Sequence, residues 1–307
     1  MIMQKLLFFL LIISTQVFSL SPPSKPPNWD NWKFNEKIIW RGCNLDPRIP
    51  YAPLVDKLKV KKIVQNEMPT AELFFATNDP SQIFMENLPN TFVMKVNNAS
   101  GRGVLVKNGI IVATKKRDQD FIPRECTNNY LRLYAKKWLK NLYAENTEKQ
   151  YGLVQPMILF EEYLESLKMD IELYFFNGKV VVIGLFFTED YTKNPIVSFY
   201  DASWNLFDIS HPKFLVKKEP IEKPPYMDKL IAFGERFAEK IDHVRIDFFV
   251  TEEEIYFGEF TFTTAGGYEI NHLNQMIGNH WDYPDPDDSL VNPYLNELLD
   301  NAGCLER

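Results

Sequence analysis

The chain has few of the residues on which disulfide scaffolds and zinc proteins depend. Only three cysteines, Cys43, Cys126 and Cys304, occur in 307 residues, and no two of them form a Cys-x-x-Cys pair. A dense disulfide framework is therefore excluded, and a structural zinc site is not expected. Three free thiols are the simpler expectation, and a single disulfide between Cys43 and a distant cysteine is the alternative.

Positive charge is also in short supply. The chain carries 34 lysines and arginines against 41 aspartates and glutamates, a net charge of −7, and no basic stripe offsets it. A nucleic-acid partner is therefore not expected. Hydrophobic residues make up 45% of the chain and aromatic residues 14%, which predicts a large folded core rather than a disordered chain. The length allows two subdomains with a cleft between them.

No hydrophobic run is long enough for a comfortable membrane span of roughly 20 residues. The longest apolar run, Leu6 to Ile13, follows a single lysine, and Val17-Phe18-Ser19 is compatible with signal-peptidase cleavage before Leu20. We therefore expect residues 1–20 to be a signal peptide that directs the protein into the secretory pathway or out of the cytoplasm. An uncleaved membrane anchor is the alternative, and it would be the only expected membrane contact.

The remainder reads as an α+β chain with antiparallel hairpins. Residues 21–50 are rich in proline and tryptophan and are expected to be an extended lead-in. Residues 51–156 are expected to form one subdomain and residues 157–307 a second. Three local patterns support these expectations: a helical apolar spacing from Pro53 to Glu67, a helix capped by Thr127, and an Asn177-Gly178 hairpin turn.

Two strand-like segments near the C-terminus each contain one acid. Asp247 ends Val-Arg-Ile-Asp at 244–247, and Glu259 lies within Phe-Gly-Glu-Phe-Thr-Phe at 257–262. If the strands pair through a turn at 251–254, both carboxylates lie on one face. Paired carboxylates on rigid strands are suitable ligands for Mg²⁺, which usually also binds phosphate oxygens, and Mn²⁺ is an alternative.

Arg245 lies two residues before Asp247, so the two side chains share a strand face. A buried salt bridge is one interpretation. The other is an arginine that stabilises negative charge on a transferring phosphoryl group or a tetrahedral oxyanion.

A lysine and a glycine-bearing loop predict a phosphate site in the first half of the chain. Lys95 ends an apolar strand, and the loop of residues 97–103 that follows can direct backbone N–H groups at phosphate oxygens. The loop residues concerned are Ser100, Gly101, Arg102 and Gly103. Asn98-Ala99-Ser100 is also a glycosylation sequon, and a glycan there would obstruct the loop. We favour the phosphate loop.

The strand from Ile158 runs directly into acids. Either it is simply a strand end that meets solvent, or it is a hinge whose backbone and Glu161 bind the edge of adenine. In the second interpretation, Asp170 on the next strand reaches a ribose hydroxyl.

Taken in the order in which they occur along the chain, these segments resemble the ATP-grasp superfamily, and more narrowly its TupA-like branch, named for teichuronopeptide and polysaccharide biosynthesis. The resemblance spans about residues 50–280. It implies two α+β subdomains that enclose ATP and Mg²⁺, and a reaction in which a carboxylate becomes an acyl phosphate that an amine attacks. The motifs that carry it are Phe-Val-Met-Lys at 92–95, Ser100-Gly101, Phe-Glu-Glu-Tyr-Leu at 160–164, Asp170 with Phe-Asn-Gly-Lys at 176–179, Arg245-x-Asp247, and Gly-Glu-Phe-Thr-Phe-Thr at 258–263.

The resemblance also implies roles for individual residues. Lys95 and Arg245 would be catalytic, and Asp247 and Glu259 would bind the metal. The ATP-binding set would be Lys95, Ser100, Gly101, Arg102 and Gly103 at the phosphates, Glu161, Glu162, Tyr163 and Leu164 at adenine, and Asp170 at the ribose.

The chain departs from the family pattern around the phosphates. Asn98 stands where the loop usually has histidine, Glu172 replaces a lysine, and Glu189-Asp190 replaces an Asp-Arg pair. Arg102 is positioned in sequence to replace one lost charge. Thr261 follows the metal glutamate by two residues, as in this branch.

The leading functional hypothesis is thus an ATP- and Mg²⁺-dependent carboxylate–amine ligase of surface polysaccharide or glycopeptide biosynthesis. Its partners would be a nucleotide and a small-molecule, glycan or peptide substrate. Two alternatives remain open: a non-catalytic secreted or lumenal binding module for a nucleotide or glycan, and a nucleotide-sugar glycosyltransferase.

Overall fold

The computed structural model describes residues 21–114, 121–140, 148–188, 193–211, 213–267, 274–290 and 292–304. The expected signal peptide at 1–20 and the Glu189-Asp190 pair lie outside these ranges. The described residues form two six-stranded sheets with helices, which confirms the α+β class. The helices are α1 (Phe34–Cys43), α2 (Tyr51–Val55), α3 (Lys59–Val64), α4 (Asn128–Lys140), α5 (Met227–Ala238), α6 (Asn274–Asn279) and α7 (Pro293–Asn301).

The first sheet consists of β1 (Leu73–Thr77), β2 (Phe92–Val96), β3 (Gly103–Lys107), β4 (Ile110–Ala113), β5 (Arg124–Glu125) and β6 (Ile158–Glu161). It is antiparallel throughout, in the order β1-β6-β2-β3-β4-β5. Helix α4 covers it with Leu131, Ala135 and Trp138, whose spacing of four and three residues places them on one helix face. The Thr127 hydroxyl accepts the Tyr130 N–H at 3.3 Å, so the predicted cap is confirmed.

The second sheet consists of β7 (Met169–Phe176), β8 (Lys179–Phe187), β9 (Ile196–Tyr200), β10 (Leu215–Val216), β11 (His243–Val250) and β12 (Ile255–Thr261). It has the order β10-β9-β8-β7-β11-β12 and is antiparallel except where β10 joins β9. Asn177 and Gly178 connect β7 to β8 with positive φ at both residues, as the Asn-Gly signal predicted. Helix α5 packs so closely on this sheet that a Cβ on Gly234 would lie 2.1 Å from the Phe175 ring.

Residues 21–50 are not the extended lead-in that composition suggested. They include α1, whose buried face combines Phe34 and Ile38 with two charged residues, Lys37 and Arg41. Those charges interrupt the apolar periodicity by which a helix is recognised. The structure accommodates both: the Lys37 ammonium donates to the carbonyls of Gly278 and Trp281, and Arg41 pairs with Asp242.

Strand β6 corrects the expected boundary between residues 156 and 157. It pairs with β1 and β2 in the first sheet, so residues 158–161 belong with the N-terminal strands. The connection to the second sheet follows β6, at residues 162–168.

The helix expected from Pro53 to Glu67 is divided into α2 and α3. The first helix ends at Asp56, whose backbone is extended and whose carboxylate accepts the Leu58 N–H at 2.9 Å in the turn between the two helices. Lys57 lies in this break. The alternative of a disulfide from Cys43 is wrong, because all three cysteines are free thiols. None of the described helices has both the length and the apolar content to cross a bilayer.

Candidate functional site

Three acidic residues form a row across the second sheet. Asp247 on β11 is in register with Glu259 on β12 and with Glu172 on β7. Directly opposed residues of neighbouring strands project to the same face, so these side chains share one side of the sheet. We call them the carboxylate row. Asp170, two residues before Glu172, lies on that face of β7 as well and is largely buried.

Arg245, on β11, is the basic residue of the second sheet that contacts this row. Its guanidinium binds Asp247 through two hydrogen bonds of 2.7 Å, with Nε to Oδ1 and Nη2 to Oδ2. The nearest oxygens of Glu172 and Glu259 are 3.5 and 4.0 Å from Arg245 nitrogens. The salt-bridge interpretation of Arg245 therefore matches its geometry, yet one arginine balances only one of three carboxylates.

The pKa values of the two metal-ligand candidates shift in opposite directions, because different charges surround each carboxylate. Burial raises the pKa of Asp247 to about 7, with Glu172 and Glu259 adding to the rise against Arg245. Burial acts in the same direction on Glu259, but Lys57, then Arg245 and Lys95, outweigh it and lower the pKa of Glu259 to about 2. Neighbouring acids with pKa values pushed apart are typical of sites that handle charge.

Lys57 connects the two halves of this site. Its ammonium donates to Glu259 Oε2 at 2.6 Å. Its backbone N–H donates to the Asn97 carbonyl at 3.2 Å, and the Asp56 carboxylate accepts the Asn97 amide at 2.9 Å. The break between α2 and α3 is thereby attached to the start of the β2–β3 loop.

Lys95 and Lys61 lie on either side of the buried Glu161 carboxylate. Lys95 Nζ is 2.5 Å from one Glu161 oxygen, and Lys61 Nζ is 3.4 Å from the other. Burial lowers the pKa of Lys61 to about 8, although Glu161 opposes that shift. Glu161, predicted at adenine, instead has its carboxylate against two ammonium groups. Because Lys95 also lowers the pKa of Glu259, this group lies within electrostatic range of the carboxylate row.

The loop after β2 is fixed at its start and exposed at its tip. Asn97 and Asn98 are buried, and the Asn98 amide lies 3.4 Å from the Tyr151 carbonyl. Asn98 is only 4% exposed, so it cannot accept a glycan, and the sequon interpretation is wrong. Ser100 and Gly101 are exposed, and Gly101 has φ of 69°, which glycine adopts readily. Arg102 follows, and Gly103 is in register with Lys95.

The predicted adenine residues after β6 have contacts of their own outside the carboxylate row. Glu162 exchanges backbone and side-chain hydrogen bonds with Glu72, and the Lys107 ammonium lies 4.3 Å from the Tyr163 ring centre. Glu162, Tyr163 and Leu164 line a polar cavity of about 440 Å³ together with the β11–β12 turn. The residues that line this cavity do not include Lys95, Asp247 or Glu259.

The carboxylate row fits a hard divalent cation in the chemistry of its donors, which are all carboxylate oxygens on rigid strands. The raised pKa of Asp247 reflects burial beside neighbouring acids, a charge that such an ion would offset. Within the described ranges, no group of three or more His, Cys, Asp or Glu residues is arranged to hold an ion without help. A cation here would therefore need ligand oxygens in addition, as the phosphates of a nucleotide provide.

Sequence analysis did not single out Lys57 or Lys61. A signal was present: Lys57, Lys59, Lys61 and Lys62 occur within six residues that contain no acid. Only the apolar spacing of this segment was interpreted, as a helix, and the contact between Lys57 and Glu259 joins positions 202 residues apart.

Comparison with protein families identifies the chain. Residues 36–280 match the family model described as TupA-like ATP-grasp. The chain therefore belongs to the TupA-like ATP-grasp family, and its two sheets are those of an ATP-grasp fold. Among curated proteins, none matches.

Solved structures give distant matches. A D-alanine–D-alanine ligase from Bacillus anthracis, complexed with ATP, is 14% identical with a TM-score of 0.38, over 69% of this chain and 54% of the ligase. A RiPP-associated ATP-grasp ligase from Chryseobacterium gregarium is 13% identical with a TM-score of 0.36, over 77% of this chain and 63% of that one. The chain thus spans less than two thirds of each.

Proposed function

We propose that this protein is an ATP- and Mg²⁺-dependent ligase that activates a carboxylate as an acyl phosphate and transfers the acyl group to an amine. The observation that carries the proposal is the contact between Lys57 and Glu259. Through it, one ammonium group contacts the carboxylate row of the second sheet, and the Lys95 ammonium beside the first sheet lies within electrostatic range of the same glutamate. Ammonium groups are suited to phosphate oxygens, and carboxylates to the metal that accompanies them.

Each group has a task in such a reaction. Lys95, Lys57 and Lys61 would bind the triphosphate, while Glu161 holds Lys95 in place. Asp247 and Glu259 would hold Mg²⁺, which supplies charge neutralisation at the phosphates. Arg245 would stabilise the negative charge of the transferring phosphoryl group.

The proposed reaction consists of two displacements. A substrate carboxylate oxygen forms a bond to the γ-phosphorus, and the bond from that phosphorus to the β–γ bridging oxygen breaks to release ADP. An amine nitrogen then forms a bond to the acyl carbon, phosphate leaves, and the nitrogen loses a proton. Glycan or peptide precursors of the cell surface are the substrate class that we propose, with action outside the cytoplasm as the matching location.

Thermal unfolding of the full chain with ligands tests the nucleotide site. Mg-ATP at about 100 times Kd should stabilise the protein by about 2.7 kcal/mol. ATP with EDTA should have a smaller effect. Asp247→Asn should abolish the Mg-dependent part, and Lys95→Met should weaken both. Glu219→Gln and Lys240→Met, at exposed residues that make none of the site contacts described above, are matched controls that should behave as wild type.

Product analysis tests turnover. ADP should accumulate only when a carboxylate and an amine acceptor are both present. Stabilisation by a UDP-sugar in place of ATP would contradict the ligase and favour a glycosyltransferase. No stabilisation by any nucleotide would contradict the proposed function altogether.

A further inference from the structure

Helix α4 has two faces of different chemistry. Leu131, Ala135 and Trp138 face the core of the first sheet. On the solvent side, Tyr130 is 38% exposed and Leu133 63% exposed, which is unusual for a helix face that meets only water.

The charge on this helix is entirely positive. It carries Arg132, Lys136, Lys137 and Lys140, of which the three lysines are exposed, and it contains no acid. The whole chain has a net charge of −7, so this composition is a local feature and not a general one. Helix α5, for comparison, carries two acids and two bases.

The segment that precedes α4 in sequence has an exposed apolar side chain and a base that contacts the helix. Ile122 is 77% exposed, and the Arg124 guanidinium lies 5.7 Å from the Tyr130 ring centre. Among the described residues, Glu86 and Glu125 are exposed acids close to this segment. We call Ile122, Tyr130 and Leu133, with Lys136, Lys137 and Lys140, the α4 face.

We propose that the α4 face binds an anionic lipid surface, with the helix lying parallel to it. Lysines contact lipid phosphates while Ile122, Leu133 and the Tyr130 ring enter the headgroup region, the depth at which amphipathic side chains are stable. A membrane is favoured over an acidic protein because exposed apolar side chains and exposed lysines occur together on the same helix, the combination that an interfacial helix presents to anionic lipid. The proposal is independent of the nucleotide site and of any contact by the N-terminal segment.

Vesicle cosedimentation with the full chain tests the charged component. The protein should bind phosphatidylcholine vesicles containing phosphatidylserine more tightly than phosphatidylcholine alone, and salt should weaken the difference. A lysine near such a surface contributes about fivefold to binding, so the triple variant Lys136→Gln, Lys137→Gln, Lys140→Gln should bind about 100-fold more weakly. The control removes the same charge from three exposed lysines elsewhere, Lys62→Gln, Lys229→Gln, Lys240→Gln, and should lose far less.

A matched pair of variants tests the contribution of the apolar side chains to vesicle binding. Leu133→Gln should weaken binding several-fold, whereas Leu153→Gln, at a leucine 56% exposed elsewhere, should not. All variants alter exposed side chains, and an unchanged thermal midpoint will show that they fold. No preference for phosphatidylserine, or equal losses from the α4 variants and their controls, would overturn the proposal and direct attention to an acidic protein partner.

Discussion

Two ion-pair clusters in this molecule differ in how completely their charges are matched. In the first, Arg41 and Asp242 are fully buried where α1 meets the start of β11. Both Asp242 oxygens and all three Arg41 nitrogens have partners, which include the Trp281 indole and the Tyr51 hydroxyl. In the second, the carboxylate row places three acids around one arginine, and Lys57 must enter from another part of the chain.

The comparison separates a structural cluster from a functional one. A matched, buried pair holds its elements together and has no capacity for a further ligand. In the carboxylate row, Arg245 is bonded to only one of three acids and Glu259 depends on a distant lysine, so under the proposed function a cation and phosphates would exchange with these partners. Removal of Asp242 from the first cluster should therefore lower the free energy of unfolding, whereas removal of Asp247 from the second should raise it relative to wild type as pH increases.

The largest effect is expected at the matched cluster. Asp242→Asn leaves the buried Arg41 guanidinium without a counter-charge and should lower the free energy of unfolding by about 3–5 kcal/mol. Urea denaturation measures this, and Mg-ATP should not restore the loss. Asp208→Asn, which breaks an exposed pair with Lys218, is the control and should leave the urea midpoint near that of wild type. Equal midpoints for the two variants would mean that the clusters do not differ in this way.

Asp247→Asn should increase the free energy of unfolding relative to wild type, and the increase should grow with pH. Because the folded-state pKa of Asp247 is raised to about 7 from 3.8, the wild-type protein loses stability from this group as pH rises from about 4 through 7. The asparagine variant lacks that loss, so its free energy of unfolding relative to wild type should increase by about 3–4 kcal/mol between pH 4 and pH 8.

Denaturation of both proteins across this pH range without nucleotide is the measurement. If the stability difference between the two proteins does not change with pH, the pKa of Asp247 is not raised in the folded state, and Arg245 fully offsets the effect of burial on it. Tyr256→Phe on β12 removes a different titrating group, whose pKa lies above 10, and should leave the slope unchanged.

Local sequence patterns predicted those parts of the fold that short segments determine. The Asn177-Gly178 turn, the Thr127 cap and the hairpin that aligns Asp247 with Glu259 all depend on residues close in sequence. These interactions form within one element or between neighbouring strands, so residue type and spacing suffice.

The remaining features required tertiary partners that no local pattern contains. Helix α1 was missed because Lys37 and Arg41 are buried against carbonyls and an acid more than 200 positions away. Lys57 was missed for the same reason. Family resemblance supplied the order of the candidate site residues, but not that the Glu161 carboxylate contacts two lysines.

The smallest of the three effects tests whether Lys57 joins the two halves. The folded-state pKa of Glu259 is lowered to about 2 from 4.5, so its contribution to stability is fully present above pH 4.5 and is lost as pH falls towards 2. Glu259→Gln and Lys57→Met should each cost about 2 kcal/mol at pH 7, after allowance for the partial exposure of Glu259. Since each variant removes the same contact, the double variant should cost little more than either single one, with a coupling energy of about 1–2 kcal/mol in the cycle.

Repeating the cycle at pH 3 should give a smaller coupling, because the folded-state carboxylate then begins to protonate. Additive costs at pH 7 would mean that Lys57 does not stabilise Glu259, and the two sheets would then lack the link on which the nucleotide site depends.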